Sequence, residues 1–206
     1  VTRVLVLLAH PRPDRSEVNV VLAEAARQLD GVTVVDLYAE YPGFHIDVDR
    51  EQQRLLAHDV IVFQHPVYWY SCPALLKEWL DLVLEHGFAY GSGGRALEGK
   101  VLLNAVTCGA RREVYTRGGG YSYELKDFFA PFEQTALLCR MRYLPPFALF
   151  AAGHAADEDR LGEHVASYAR LLSAITEDRL DLERAERELT LSDDLGALLM
   201  HGAERS

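Results

Sequence analysis

Cysteine is scarce: Cys72, Cys108 and Cys139 are the only three in 206 residues, at wide and unpatterned spacing. An odd number so placed argues against a disulfide framework and against a zinc site, and suits reduced thiols in a cytoplasm. They read as packing residues, and no metal is expected. Basic residues are in deficit as well, with 21 Lys and Arg against 31 Asp and Glu, a formal charge of -10 and no dense basic run. That argues against a nucleic-acid binder or a general binder of anionic membranes, and leaves room only for local arginine sites facing an anionic substrate. Long apolar runs are missing too. The stretch 3–9 is apolar, but it falls far short of the ~20 residues of a membrane span and lacks the small-residue cleavage site of a signal peptide, so no targeting is expected. Repeats, heptads and low-complexity segments are absent.

What is present is enough apolar material, 49% of the chain, to bury the core of one globular domain. The informative stretch is Asp59 to Trp79. Val60 to Phe63 form a continuous apolar, β-branched run, the pattern of a strand covered on both faces in a parallel sheet. After Pro66 come Val67, Tyr68, Trp69 and Tyr70, four large groups in a connection where polar residues are the default. They lie at the carboxyl end of a central strand, where open α/β sheets bind ligands. Either they line a ligand or they plug the sheet top. Cys72 and Pro73 then open a helix with Leu75, Leu76, Trp79, Leu80 and Val83 as its inner stripe.

The same strand, loop and helix pattern recurs. Arg3 to Ala9 is a first buried strand, followed by the loop HPRPDRS and a helix capped by Ser16, with Val18, Val21, Leu22, Ala25 and Leu29 on one face. That helix start favours a phosphate through its free N–H groups and dipole, and His10, Ser16 and Asn19 can add side-chain donors. The loop holds no glycine, which excludes both the G-x-G-x-x-G dinucleotide motif and the P-loop. Val32 to Leu37 is an outer strand, residues 38–49 a loop, and Asp49 to His58 a short helix. Phe88 to Lys100 is a glycine-rich loop; Val101 to Val106 is the fourth strand, ending in the small residues Thr107, Cys108, Gly109 and Ala110. Arg111 to Tyr121, with three consecutive glycines, is the segment expected to be mobile. A helix over Tyr123 to Leu138 leads to a fifth strand within Arg142 to Phe150, whose pairing Pro145 and Pro146 should confine to its later part. The last sheet-covering helix lies within His154 to Ile175. Five alternations with right-handed crossovers predict a five-stranded parallel sheet with helices on both faces, bringing the loops after strands one, three and four together at the switch point.

Five motifs in order carry a family resemblance: AHPxPxxSxxN at Ala9 to Asn19, QHPVYWYSCPALLKEWLD at Gln64 to Asp81, HGFAYG at His86 to Gly91, TCG at Thr107 to Gly109, and LPPF at Leu144 to Phe147. Over about residues 3–175 the chain resembles the flavodoxin-like NAD(P)H:quinone oxidoreductases, and within them the ancillary flavoproteins of glutathione-regulated potassium-efflux systems. The resemblance implies a three-layer fold with strand order 2-1-3-4-5. It also implies FMN, or FAD as in longer members, with NADPH or NADH as co-substrate and a quinone-like electrophile as acceptor. Carried over, His10 and Ser16, Glu17, Val18 and Asn19 would hold the phosphate and ribityl chain. Pro66, Val67, Tyr68, Trp69 and Tyr70 would lie along the flavin ring, with Trp69 and Tyr70 as its aromatic wall. Thr107, Cys108, Gly109 and Ala110 would supply donors to the pyrimidine edge. Tyr115 matches the family's tyrosine, whereas the family's histidine position falls on Tyr121 or a glycine. Ala110-Arg111 replaces the usual Gly-Gly. The resemblance further implies a homodimer in which Phe88 to Gly91 reaches across, and a potassium-efflux transporter as partner at the inner face of the cell membrane.

Several residues keep two readings. Arg111, Arg112 and Arg117 could meet the 2′-phosphate of NADPH or form a solvated cluster. His10 could contact phosphate or be structural, Asn19 could serve capping alone, His65 could simply pack, and His86 could cap its helix. Residues 176–206 form a helical extension outside the domain at 1–175. It reads as a charge-rich helix over Glu177 to Leu189 with a Glu183–Arg187 pair, then a short capped helix over Ser192 to Gly202, either docked on the body or a partner, or solvated. Three functions compete: a two-electron reductase, a transporter's regulatory subunit, and a one-electron carrier. The arginines and glycines after Thr107 disfavour the last.

Overall fold

The computed structural model describes residues 1–200. Its frame is a parallel sheet of β1 (Val4–Leu8), β2 (Val32–Asp36), β3 (Val60–Pro66), β4 (Val101–Thr107) and a fifth position shared by β5 (Arg142–Tyr143) and β6 (Phe147–Leu149). The order is β2-β1-β3-β4-β5, with β6 also pairing β4, as the sequence predicts. Helices cover it: α1 (Glu17–Arg27), α2 (Leu37–Glu40), α3 (Val48–Ala57), α4 (Ala74–Val83), α5 (Ala130–Leu138), α6 (Leu161–Thr176) and α7 (Leu182–Ala185).

Every residue of β1, β3 and β4 is buried, so their side chains alternate between two apolar interiors. Leu5, Leu7, Ile61 and Phe63 pack with Leu55 of α3, Leu75, Leu76, Trp79 and Val83 of α4, and Phe132 of α5. Val4, Val6, Val60, Val62 and Leu103 pack on the other face with Val18 and Leu22 of α1 and Tyr168, Leu171 and Leu172 of α6. Burial of each such side chain contributes roughly 1.5–3 kcal/mol before entropy is counted. One carboxylate joins this interior: Glu51 of α3 is fully buried and accepts from Tyr41 Oη at 2.6 Å and Trp79 Nε1 at 2.9 Å, with Arg54 beside it.

Several expectations are corrected. Leu37 is helical rather than strand and residues 38–40 are helical rather than loop, because the Asp36 carboxylate accepts from the N–H groups of Tyr38 and Ala39 and caps a short turn. The inner stripe of α1 is Val18, Asn19, Leu22, Ala23 and Ala26; Val21 is exposed, since the polar Asn19 takes an inward position next to the sheet. Pro73 is the N-cap of α4 rather than its first residue. The prolines do not confine fifth-strand pairing to its later part: β5 pairs Val101 and Leu102 before them, and β6 pairs Ala105 to Thr107 after them.

The segment after α6 is not a long helix. Among the described residues beyond α6, only Leu182–Ala185 is α-helical, because Leu180, Ala185, Leu191, Leu195 and Leu198 are drawn into the α1–α6 interior and the chain bends to deliver them. Glu183 makes no ion pair with Arg187 among the described residues; Glu186 pairs with Arg142 at 2.7 Å instead. Asp194 caps a single short turn over Leu195–Leu198. The expected continuation of that helix to Gly202 lies outside the described residues. Among the described residues no helix is long and apolar enough to cross a membrane.

Candidate functional site

The carboxyl ends of β1, β3 and β4 converge on two adjoining cavities that share Val67 and Gly109. One, of about 380 Å³, is lined by His10, Ser16, Glu17, Val18, Asn19, Pro66, Tyr68, Thr107 and Cys108. The other, of about 400 Å³, is lined by Trp69, Tyr70, Ala110, Tyr115 and Tyr121. All the residues singled out in the sequence for cofactor contact therefore meet at one place. Sequence reasoning missed Arg15, Ala152 and Gly153, which also line the first cavity. Arg15 was visible as a cation just before the N-cap. Ala152 and Gly153 arrive through tertiary convergence from the loop after β6, with only the small-residue run after Phe150 as a hint.

The first cavity is a polar cradle. Ser16 Oγ accepts the Asn19 N–H at 3.2 Å and so caps α1. The Asn19 side chain donates to Thr107 Oγ1 at 3.0 Å, tying the helix start to the end of β4. Its Oδ1 is buried with no partner, although a buried polar atom is almost always hydrogen-bonded. Asn19 thus does more than cap. Its side chain bridges α1 to β4 while one amide atom stays unpaired inside the protein, and turning the amide over merely exchanges which atom is orphaned. His10 accepts the Arg12 N–H at Nδ1, 3.1 Å away, and burial holds its pKa below the ordinary histidine value. A neutral ring that accepts at Nδ1 carries its proton at Nε2, so His10 keeps a donor to offer.

The second cavity is an aromatic slot built on a strained turn. The backbone N–H groups of Tyr68 and Ser71 each donate to the other's carbonyl, at 3.1 and 3.0 Å. Trp69 and Tyr70 between them have φ of 49° and 64°. Two left-handed residues are what a type I′ turn requires, and the usual occupants are Asn-Gly. Trp69 is 91% exposed, so it does not plug the sheet top. Tyr70, Tyr121 and Tyr115 form a T-shaped series with ring centroids 5.3 and 5.1 Å apart.

Under this turn, fully buried His65 has Nδ1 3.0 Å from the Pro66 carbonyl and Nε2 3.1 Å from the Asn104 amide, which in turn reaches Tyr143 Oη at 3.2 Å. Burial lowers the His65 pKa, so the ring is neutral and has one N–H to give. The Asn104 NH₂ donates to Tyr143 Oη and its Oδ1 faces Nε2, so the neutral ring has two acceptors, Asn104 Oδ1 and the Pro66 carbonyl, for its one N–H. The Val67 N–H donates to Thr107 O at 2.8 Å, which locks the β3 and β4 loops together.

Burial pushes the Cys108 thiol up to about 12, and burial followed by the neighbouring Cys108 pushes the Tyr115 phenol well above its usual value. Both stay protonated at neutral pH. Cys108 is inert packing, and Tyr115 is a neutral phenol at the slot wall whose hydroxyl meets Cys108 and the Ala110 backbone. The arginines are all engaged: Arg111 with Glu158 at 2.6 Å, Arg112 with Asp193, and Arg117 with Glu124 and Asp127 at 3.8 and 3.9 Å. Phe88 to Gly91 turns back on its own body, with Ala89 buried and Gly87 N–H donating to the Tyr90 carbonyl at 2.8 Å. His86 packs its ring edge-on to Tyr90, 5.7 Å between centroids.

Comparison with known proteins identifies the fold family. The family model described as a flavodoxin-like fold matches residues 2–172. The glutathione-regulated potassium-efflux system ancillary protein KefG of Pectobacterium atrosepticum is 48% identical over 172 residues, covering 84% of this chain and 93% of that relative. The general stress protein 14 of Treponema denticola, solved in complex with FMN, superimposes with a TM-score of 0.79 at 40% identity, covering 84% of this chain and 99% of that one. An NADPH-quinone reductase from P. pentosaceus gives 0.75 at 30% identity, covering 82% and 97%.

Proposed function

The chain belongs to the flavodoxin-like fold family, and from that membership we propose that it is an FMN-dependent NAD(P)H:quinone oxidoreductase. The observation that carries the reading is a polar cradle lined by His10, Ser16 and Asn19 that adjoins an aromatic slot. Such a pair of cavities fits a molecule with a polyhydroxyl-phosphate arm and a flat ring. The donor set fits as well: Ser16 Oγ, the His10 Nε2–H and the first N–H groups of α1 suit a phosphate. Asn19 suits a ribityl hydroxyl.

When bound, FMN would accept a hydride from NADPH or NADH and pass both electrons to a quinone or similar electrophile. This chain's residues do the rest. Trp69 and Tyr70 wall the ring slot, and the contact from His65 to Pro66 fixes the turn that presents them. The Gly109 and Ala110 backbone and the neutral Tyr115 hydroxyl stand where charge on a pyrimidine edge would be stabilised by preorganised donors. Tyr121, between Tyr70 and Tyr115, is the second phenol within reach of the slot. We assign these roles to the cytoplasm and to a homodimer, with FAD as the alternative to FMN.

A second reading has its own support in the 48% identity to a potassium-efflux ancillary protein. Docking on a membrane transporter is then the selected role, and it is compatible with turnover. The deciding experiment is an absorbance spectrum with added FMN, followed by anaerobic NADPH and then a benzoquinone. Bleaching of the flavin band and its recovery with quinone are expected. Bound flavin that NADPH does not bleach favours the docking role, and absence of flavin binding refutes the reductase.

A further inference from the structure

The segment beyond the family match returns to the sheet and touches the loop that lines the ring slot. The Leu191 N–H donates to the Pro146 carbonyl at 3.0 Å. Ser192 Oγ accepts from the Ala148 N–H at 3.3 Å and donates to the Ala148 carbonyl at 2.9 Å. One side chain thus stands in for a neighbouring strand on the open side of β6, and covers an edge that would otherwise present unpaired backbone. Leu191 beside it is fully buried and anchors the register.

The next residue reaches the site. Both carboxylate oxygens of Asp193 meet the two terminal nitrogens of Arg112, one of them at 2.9 Å. The Arg112 guanidinium lies 4.6 Å over the Phe150 ring, and Phe150 stands 5.5 Å from Tyr115, centroid to centroid. Arg112 also opens the short 3-10 turn Arg112–Tyr115, so its position sets that of Tyr115 through the backbone as well. The far side of the same loop is held by Arg111 on Glu158, which also pairs with Arg160.

We propose that Asp193 is a positioning residue: through Arg112 it fixes the Arg112–Tyr115 turn, and with it the Tyr115 wall of the ring slot. The functional half of this inference rests on the flavin reading above; the structural half does not. Magnitude separates a positioning role from general stabilisation. Arg112 and Asp193 are 45% and 38% exposed, and an ion pair so exposed adds little to global stability. A bidentate pair that also stacks on an aromatic ring has the directional rigidity to order a loop whose glycines, Gly118 to Gly120, supply none. The effect of breaking it belongs in local opening of the loop, not in the unfolding midpoint.

The test uses the full chain and two variants. Asp193→Asn removes the pair at the loop. Glu186→Gln removes the Arg142–Glu186 pair, which ties the same segment to β5 away from the slot. In flavin-free protein, trypsin cleavage after Arg117 should accelerate about fivefold in Asp193→Asn and stay at the wild-type rate in Glu186→Gln. With FMN, Asp193→Asn should weaken binding about three- to fivefold and move the absorption maximum of the bound flavin toward that of free FMN. The thermal midpoint should barely change. Wild-type cleavage and an unshifted spectrum in Asp193→Asn would overturn the proposal, as would equal effects from Glu186→Gln. If the wild type binds no FMN, the flavin reading fails while the cleavage rates still decide whether Asp193 orders the loop.

Discussion

Replacing Asn19 by Leu should move flavin binding and the stability of the flavin-free protein differently from an ordinary buried-polar substitution. Asn19 is 2% exposed and its Oδ1 has no partner; a buried polar atom left unsatisfied costs about 1–3 kcal/mol. Leucine removes that cost and gives up the bond to Thr107 Oγ1 at 3.0 Å, a loss of about 0.5–1.5 kcal/mol. The two roughly cancel, so the flavin-free variant should unfold in urea within about 1 kcal/mol of wild type. Binding has no such cancellation. A ribityl hydroxyl that loses its buried partner should weaken FMN by about 1–3 kcal/mol, or roughly five- to 150-fold in Kd by fluorescence titration. A flavin-free variant destabilised by more than about 2 kcal/mol together with unchanged FMN affinity would refute the reasoning, because Asn19 would then be a satisfied structural residue.

Acid should destabilise the protein through His164. Its ring is buried 4.5 Å from Phe147 and its pKa falls to about 4, from burial and then the nearby Arg160. A histidine whose folded pKa lies below its unfolded value contributes stability fully above about pH 6.5 and loses it as pH falls toward 4; near pH 5 the loss should be about 2 kcal/mol. Urea unfolding at pH 7.5 and 5.0 should show that increment in the wild type and lack it in His164→Phe; equal pH dependence in both would exclude His164 as its source. Trp69→Gly relieves a left-handed φ of 49° on a side chain 91% exposed. It should raise flavin-free stability by about 0.5–1 kcal/mol. FMN affinity should fall, and a variant that keeps full affinity would remove Trp69 from the slot wall.

The layers and strand order were legible because apolar β-branched runs alternate with amphipathic helices, and right-handed crossovers leave few arrangements of such a chain. The location of the site followed, since the loops after the first, third and fourth strands must share one edge. Three features were not legible, for different reasons. The Trp69-Tyr70 turn carries none of the usual chemistry of a left-handed pair, so backbone strain could not be read from it. Asn19 was legible as a donor or a cap, but its place in the inner stripe of α1 was not, because Val18, Leu22 and Ala26 turn that face to the sheet and carry it inward. The residues after Thr176 have the composition of a solvated helix. Five apolar side chains spaced along them gain more from the α1–α6 interior than a continuous helix could offer, and tertiary burial overrode local propensity.

The contact between Arg112 and Asp193 joins positions 81 residues apart in the chain. During synthesis at about 5–20 residues per second, that separation is roughly 4–16 s in which the strands through β4 have left the ribosome and the residue that steadies the loop beyond them has not. The cradle around Asn19 needs β1, α1, the ends of β3 and β4 and the loop at Ala152 and Gly153, all of which precede Asp193, so it can form within that interval. Completion of the cradle and ordering of the slot wall are therefore separated in time on the nascent chain, with the last step waiting for a segment beyond the residues 2–172 that the family model matches.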